Sequence, residues 1–200
     1  MEAKLKYYYI NLKHRVDRNT HMIKQFQLYG IENYERIDAC TYKSEGRIGC
    51  TMSHIKTLEQ FLASEHKYCM VFEDDFMFLV DKEAYNKTLN SILLANFQWD
   101  VILFSSNIKS STNFNSFLNK VLNGQTTSSY LVTKEYAKKL LENYKEGLKL
   151  LIETNQNKYC IDIHWKLLQP NDNWFVTNPI IGKQMPSYSD IINGHASYRC

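Results

Sequence analysis

The stretch "YCMVFEDDFMF" (residues 68–78) decides how the rest of the chain is read. Its first half is a short apolar run, rich in aromatic and branched side chains and too brief for a helix, which predicts a buried strand. The run ends in three consecutive acids, Glu73, Asp74 and Asp75. An unpaired buried carboxylate is costly, so acids leaving a core strand face a cation, hydrogen-bond donors or open solvent. Residues two apart on a strand share a face, which puts Glu73 and Asp75 together and Asp74 opposite until the chain turns away. Such a pair suits one hard divalent cation, Mg2+ or Mn2+, held together with the phosphates of a substrate. A solvated strand end is the competing reading, and the position at the end of a buried strand favours a site.

Working outward, "KYYYINL" (6–12) predicts a first strand, followed by the basic connection "KHRVDRN" and a helix with Met22, Phe26 and Tyr29 on one face, stopped at Gly30. "YERIDAC" (34–40) reads as a second strand, and Met52, Ile55, Leu58 and Leu62 mark a helix over 51–63. After the acids come a helix over 82–96, the strand "WDVILF" (99–104) and a serine- and asparagine-rich stretch, 105–116, expected as a mobile loop. "SSYLVT" then reads as a strand leading into a helix over 134–151, with Thr133 as its cap. A short helix over 161–168 and a strand in "WFVTNPIIG" precede an irregular tail. Strand–helix alternation predicts an α/β sandwich with a mainly parallel central sheet flanked by helices, with ligands at the carboxyl ends of the strands. No linker or repeat divides the chain, so one domain is expected over residues 1–200.

Composition narrows the function classes. Twenty-four basic against 21 acidic residues give +3, too balanced for a chain built to grip nucleic acid. The cysteines, at 40, 50, 69, 160 and 200, are odd in number and form no C-x-x-C pair, which fits a reducing compartment. The N-terminal stretch lacks the apolar core of a signal peptide, and no apolar run approaches membrane-spanning length. The expectation is a cytoplasmic chain, soluble or peripheral to membranes.

Three further stretches carry candidate chemistry. "INLKHRVDR" places His14, Arg15 and Arg18 after the first strand, where they either contact phosphate or form a solvated surface. "GRIGCTMSH" (46–54) offers Gly49 for close backbone approach, then Thr51, Ser53 and His54 on the first turn of a helix, as an anion site or a simple cap. "CIDIHW" (160–165) supplies Asp162 as a candidate general base and His164 as a candidate ligand, against a structural role for each. His195, in "NGHASY", is a tail ligand or a surface residue.

Taken in order, these stretches resemble glycosyltransferase family 25, the group that includes lipooligosaccharide galactosyltransferases and collagen hydroxylysine galactosyltransferases. The resemblance rests on "YINLKHRVDR", "YERIDA", "GRIGCTMSH", "MVFEDDFMF", "WDVILF", "SSYLVTKEYAKKLL" and "QMPSYSDI", collinear from about Tyr7 to Ile192. It implies a GT-A-like nucleotide-sugar fold, a UDP-hexose donor, and Mn2+ or Mg2+. By position, Glu73, Asp74 and Asp75 take the acidic metal and nucleotide role, Glu73 and Asp75 as metal ligands with His164 and His195 as further candidates. Asn11, Arg15, Arg18, Ser53, His54 and Asp74 fall in the nucleotide-sugar blocks. Two departures stand out: Asp162-Ile163-His164 replaces a frequent Asp-Glu pair, and residues 105–123 do not align.

The implied reaction is an inverting transfer of galactose or glucose to a hydroxyl of a glycan or a hydroxylysine, with Asp162 as base. Two other readings use the same residues. A metal-dependent nuclease or phosphatase would hold two cations on the acids; an inactive UDP-binding module would keep the fold without turnover.

Overall fold

The computed structural model describes residues 5–43, 45–189 and 194–196. A six-stranded sheet forms the centre, in the order β2-β1-β3-β6-β5-β7. Its strands are β1 (Leu5–Asn11), β2 (Tyr34–Asp38), β3 (Tyr68–Glu73), β5 (Val101–Asn113), β6 (Leu118–Thr133) and β7 (Trp174–Thr177). β1 pairs in parallel with β2 and β3, and β5 with β7, whereas β6 runs antiparallel to β3, β5 and β7. Five strands therefore share one direction and β6 opposes them, a mixed sheet within the expected α/β class.

The helices are α1 (Val16–Tyr29), α2 (Gly46–Ala63), α3 (Lys82–Leu93), α4 (Lys134–Thr154) and the single turn α5 (Ile161–His164). Alternate residues of the central strands feed two cores. Tyr8, Cys69 and Val71 pack with Leu58 and Phe61 of α2 and Leu140 and Tyr144 of α4. Tyr9, Met70 and Phe72 pack with Met22 and Phe26 of α1 and Tyr85 and Leu89 of α3. Burial on both faces is why β3 reads as an unbroken apolar run rather than an alternating one.

Helix ends follow local chemistry. Gly30 closes α1 at φ 68°, the left-handed conformation that glycine adopts without a Cβ penalty, and the Thr133 hydroxyl accepts from the Tyr136 N–H at 3.2 Å to cap α4. The small strands β4 (Phe76–Phe78) and β8 (Gly182–Gln184) pair, and β9 (Ser187–Ser189) pairs with β10 (Gly194–Ala196).

Two expectations are corrected. Residues 105–113 are strand, not loop: they continue β5 and pair with β6 as far as Asn113↔Asn119. Ser105 and Ser106 are buried, Ser110, Thr112 and Asn113 face solvent, and the ladder satisfies the backbone. α2 begins at Gly46 rather than Thr51, so His54 lies two turns inside the helix and away from its free N–H groups. Gly49 lets the helix pass close to the β2–α2 loop, where a Cβ would stand 2.7 Å from the Cys40 carbonyl oxygen.

Candidate active site

Strand order places the site. From β1 the chain crosses to β2 on one side and then, through α2, to β3 on the other, so the connections diverge at the carboxyl ends of β1 and β3. In open α/β sheets that divergence leaves a crevice for ligands. Here β1 ends in Asn11, β3 ends in Glu73, and Ile10 is the register partner of Glu73. A cavity of about 330 Å3 opens there, walled by residues of β1, the β2–α2 loop, α2, the acidic turn and Gln184.

The three acids divide among several neighbours, with Arg18 shared by Asp74 and Asp75 and Gln184 shared by Glu73 and Asp75. Asp74 is buried and accepts 2.7 Å bonds from Asn11 Nδ2 and Arg18 Nη1. Asn11 is itself locked, with Oδ1 accepting from Arg36 Nε at 3.0 Å. Arg18, buried on the first turns of α1, also stands 3.3 Å from Asp75. Glu73 turns towards α2 and β6: its Oε1 accepts from Thr127 Oγ1 at 2.6 Å, from His54 Nε2 at 3.1 Å and from Cys50 Sγ at 3.8 Å. Because the carboxylate only accepts, His54 Nε2 donates to it, and Nδ1 stands 3.0 Å from the Tyr130 hydroxyl. Gln184 Nε2 bridges the remaining oxygens, 3.4 Å from Glu73 Oε2 and 3.5 Å from Asp75 Oδ1.

These neighbours split the acids electrostatically. Burial and then the charge of Glu73 push Asp75 up to about 7, only partly countered by Arg18. Burial alone would raise Glu73, but the hydrogen bond and charge of His54, the Thr127 hydroxyl and Arg18 outweigh it and hold Glu73 below the usual carboxylate range. Among the described residues, Glu73 Oε2 and Asp75 Oδ1 each meet one long amide contact, from the same Gln184 Nε2. This donor set fits a hard divalent cation, which needs one or two carboxylates from the protein.

The other candidates disperse. Ser53 lines the cavity, but its hydroxyl donates to the Gly49 carbonyl at 2.7 Å and accepts from the Cys40 N–H at 2.8 Å, tying the β2–α2 loop to the helix. Arg15, at the N-terminal boundary of α1, pairs with Asp17 at 2.9 Å. Asp162, on α5, is not among the residues walling the cavity; its Oδ2 accepts from the Thr126 N–H at 3.2 Å. Burial raises Asp162 above the ordinary carboxylate range, with the Thr126 N–H opposing and the Glu73 charge adding. Thr126 has φ 90°, a costly left-handed conformation for a branched residue, in a stretch where β6 advances four residues, Ser129 to Gln125, against two on β5. That distortion aims its N–H at Asp162 while Thr127 reaches Glu73. His164 is buried against Gly147 of α4, its Nε2 3.7 Å from Glu146, and does not join the acids. The side chain of His195 lies outside the described residues, as does Asp190.

Sequence reasoning missed Cys50, Thr127, Tyr130 and Gln184. Cys50 and His54 sit at helical i, i+4 spacing, a signal present in "GCTMSH"; Thr127 and Gln184 reach the acids only through the sheet and the β4–β8 pairing.

A family model described as "Glycosyltransferase family 25 (LPS biosynthesis protein)" matches residues 44–154, more than half of the chain and the part that holds Cys50, His54 and the acids. The chain belongs to glycosyltransferase family 25. A curated relative, "Glycosyltransferase 25 family member" of Anopheles gambiae, is 26% identical over 200 residues, covering 84% of this chain and 32% of that protein. The family 25 chain thus spans about a third of that relative's length. Among solved structures, it is similar to a glycosyltransferase involved in the glycosylation of the major capsid of PBCV-1, at TM-score 0.54 and 13% identity, with 94% of this chain and 96% of that one covered. That likeness shows a shared fold, GT-A-like in architecture. Among the described residues, no helix of this family 25 member is long and apolar enough to cross a membrane.

Proposed function

We propose that this chain transfers a hexose, galactose or glucose, from a UDP-sugar to a hydroxyl of a glycan or of hydroxylysine, with inversion and with Mn2+ or Mg2+ as cofactor. The observation that carries the reading is the placement of Glu73, Asp74, Asp75 and Arg18 at the crevice where the strand order diverges, on a cavity of about 330 Å3. Family membership supports sugar transfer as the reaction class.

In such a transfer the anomeric carbon develops positive charge as the diphosphate leaves. Glu73 and Asp75 would hold the metal ion, which supplies neutralisation of the leaving group's charge. Arg18 adds a fixed positive charge on the same wall, oriented by its pairing with Asp74 and Asp75. His14, also on the wall, is a further donor. Asp162 is the proposed base for the acceptor hydroxyl. Its raised proton affinity suits that role, and Thr126 fixes its carboxylate.

Incubation with UDP-glucose, UDP-galactose and their N-acetyl forms, with Mn2+, Mg2+ or chelator, tests the reading. Metal-dependent UDP release from a hexose donor is expected; no release from any of the four, with the chain folded, would overturn it.

A further inference from the structure

Cys50 and His54 stand one turn apart on α2 and present their side chains to the same carboxylate oxygen. Sγ, Nε2 and a Glu73 oxygen all lie within 4.8 Å of one another. We propose that Cys50, His54 and Glu73 form a binding site for one zinc-class divalent cation on the wall of the cavity.

The donor set selects the metal. One sulfur, one imidazole nitrogen and one carboxylate oxygen suit Zn2+ or Co2+ over Mg2+ and Mn2+, which prefer oxygen alone. The spacing agrees: a tetrahedral zinc with bonds of about 2.0 to 2.3 Å holds its ligand atoms roughly 3.3 to 3.6 Å apart. Here the Sγ–Oε1 and Nε2–Oε1 separations are 3.8 and 3.1 Å. Three protein ligands leave the fourth position for water or a ligand, and all three residues line the cavity, which provides the entry path.

The surroundings are those of a metal site as well. A ligating histidine needs a partner for its second ring nitrogen, and Tyr130 stands 3.0 Å from His54 Nδ1 on a fully buried side chain. Thr127, at 2.6 Å from Glu73 Oε1, orients the carboxylate. With Nε2 on the cation, His54 Nδ1–H faces the Tyr130 hydroxyl as its acceptor. The Cys50 thiol gives its proton to solvent on binding. This site uses Glu73 Oε1, whereas the hard cation of the transfer reading is drawn to Oε2 and Asp75, and it does not depend on that reading.

The test is Co2+ absorption and Zn2+ calorimetry on the whole chain, wild type beside Cys50→Ser, Cys40→Ser and Tyr130→Phe. Wild type and Cys40→Ser are expected to show a thiolate-to-cobalt band at one equivalent. Cys50→Ser should lose the band and bind Zn2+ at least about 100-fold more weakly, while Tyr130→Phe weakens it roughly tenfold. Should Cys50→Ser fail to fold, alkylation of wild-type Cys50 provides the second measurement: Zn2+ at stoichiometric amounts should block it and Mg2+ should not. A wild type without the band, a band that survives Cys50→Ser, or alkylation untouched by Zn2+ would overturn the site.

Discussion

Replacing Asp75 by Asn removes a charge that the fold holds at a cost, so the variant should be more stable than the wild type, and only at neutral and alkaline pH. Asp75 is 6% exposed, and burial with the Glu73 charge raises it from 3.8 to about 7, the opposing effect of Arg18 already included. A carboxyl with a raised folded value binds protons more tightly in the folded than in the unfolded chain. Stability is therefore intact below pH 4 and falls as pH rises from about 4 to about 7, then levels off. At about 1.4 kcal/mol per pH unit, the gap gives an upper bound of about 4 kcal/mol at pH 8. Asn mimics the protonated acid in size and charge, so the difference between the variant and the wild type should be near zero at pH 4 and approach that bound at pH 8. Urea unfolding of both proteins at intervals from pH 4 to 8, in chelator, measures it. A difference that stays constant across the series, or a variant less stable at pH 8, would refute the reasoning that Asp75 is a strained charge awaiting a cation.

Three other substitutions follow from the same geometry. Arg18→Ala leaves Asp74 and Asp75 buried without their cation and should cost about 3 to 5 kcal/mol at pH 8 by urea unfolding. Gly49→Ala forces a Cβ against the Cys40 carbonyl and should cost about 1 to 3 kcal/mol, read as a lowered melting temperature. Asp162→Asn should leave UDP affinity nearly unchanged in calorimetry and lower transfer roughly 100- to 10,000-fold in steady-state kinetics.

What the sequence disclosed depended on the range of the interaction. Burial on both faces of β3 wrote itself as a continuous apolar run, and the helical faces of α1 and α4 as 3.6-residue periodicity, so the α/β class and the acidic strand end were legible. The outer half of the β5–β6 hairpin was not, because its solvent-facing serines and asparagines carry loop composition while the ladder satisfies the backbone. The start of α2 was missed because its apolar stripe was counted only from Met52, whereas Gly49, read for close backbone approach, lies inside the helix against the Cys40 carbonyl. In the site, Arg18 and the acids were legible as charges near strand ends. Their partition was not: that Asp74 faces Asn11 and Arg18 while Glu73 faces His54 and Thr127 depends on contacts 19 to 63 residues apart in the chain. His164 shows the converse, a residue with ligand chemistry that the packing of α5 on Gly147 turns to a structural use.

The most direct test of the account is UDP binding by calorimetry with Mn2+ and with chelator, on the wild type and on the Glu73→Gln, Asp75→Asn double variant. The account predicts metal-dependent binding to the wild type, roughly tenfold or more weaker in chelator because the diphosphate then meets unscreened carboxylates. The double variant should bind UDP with no difference between the two conditions. Equal affinity of the wild type with and without metal would contradict the claim that the acids at the end of β3 hold a cation for the donor's phosphates.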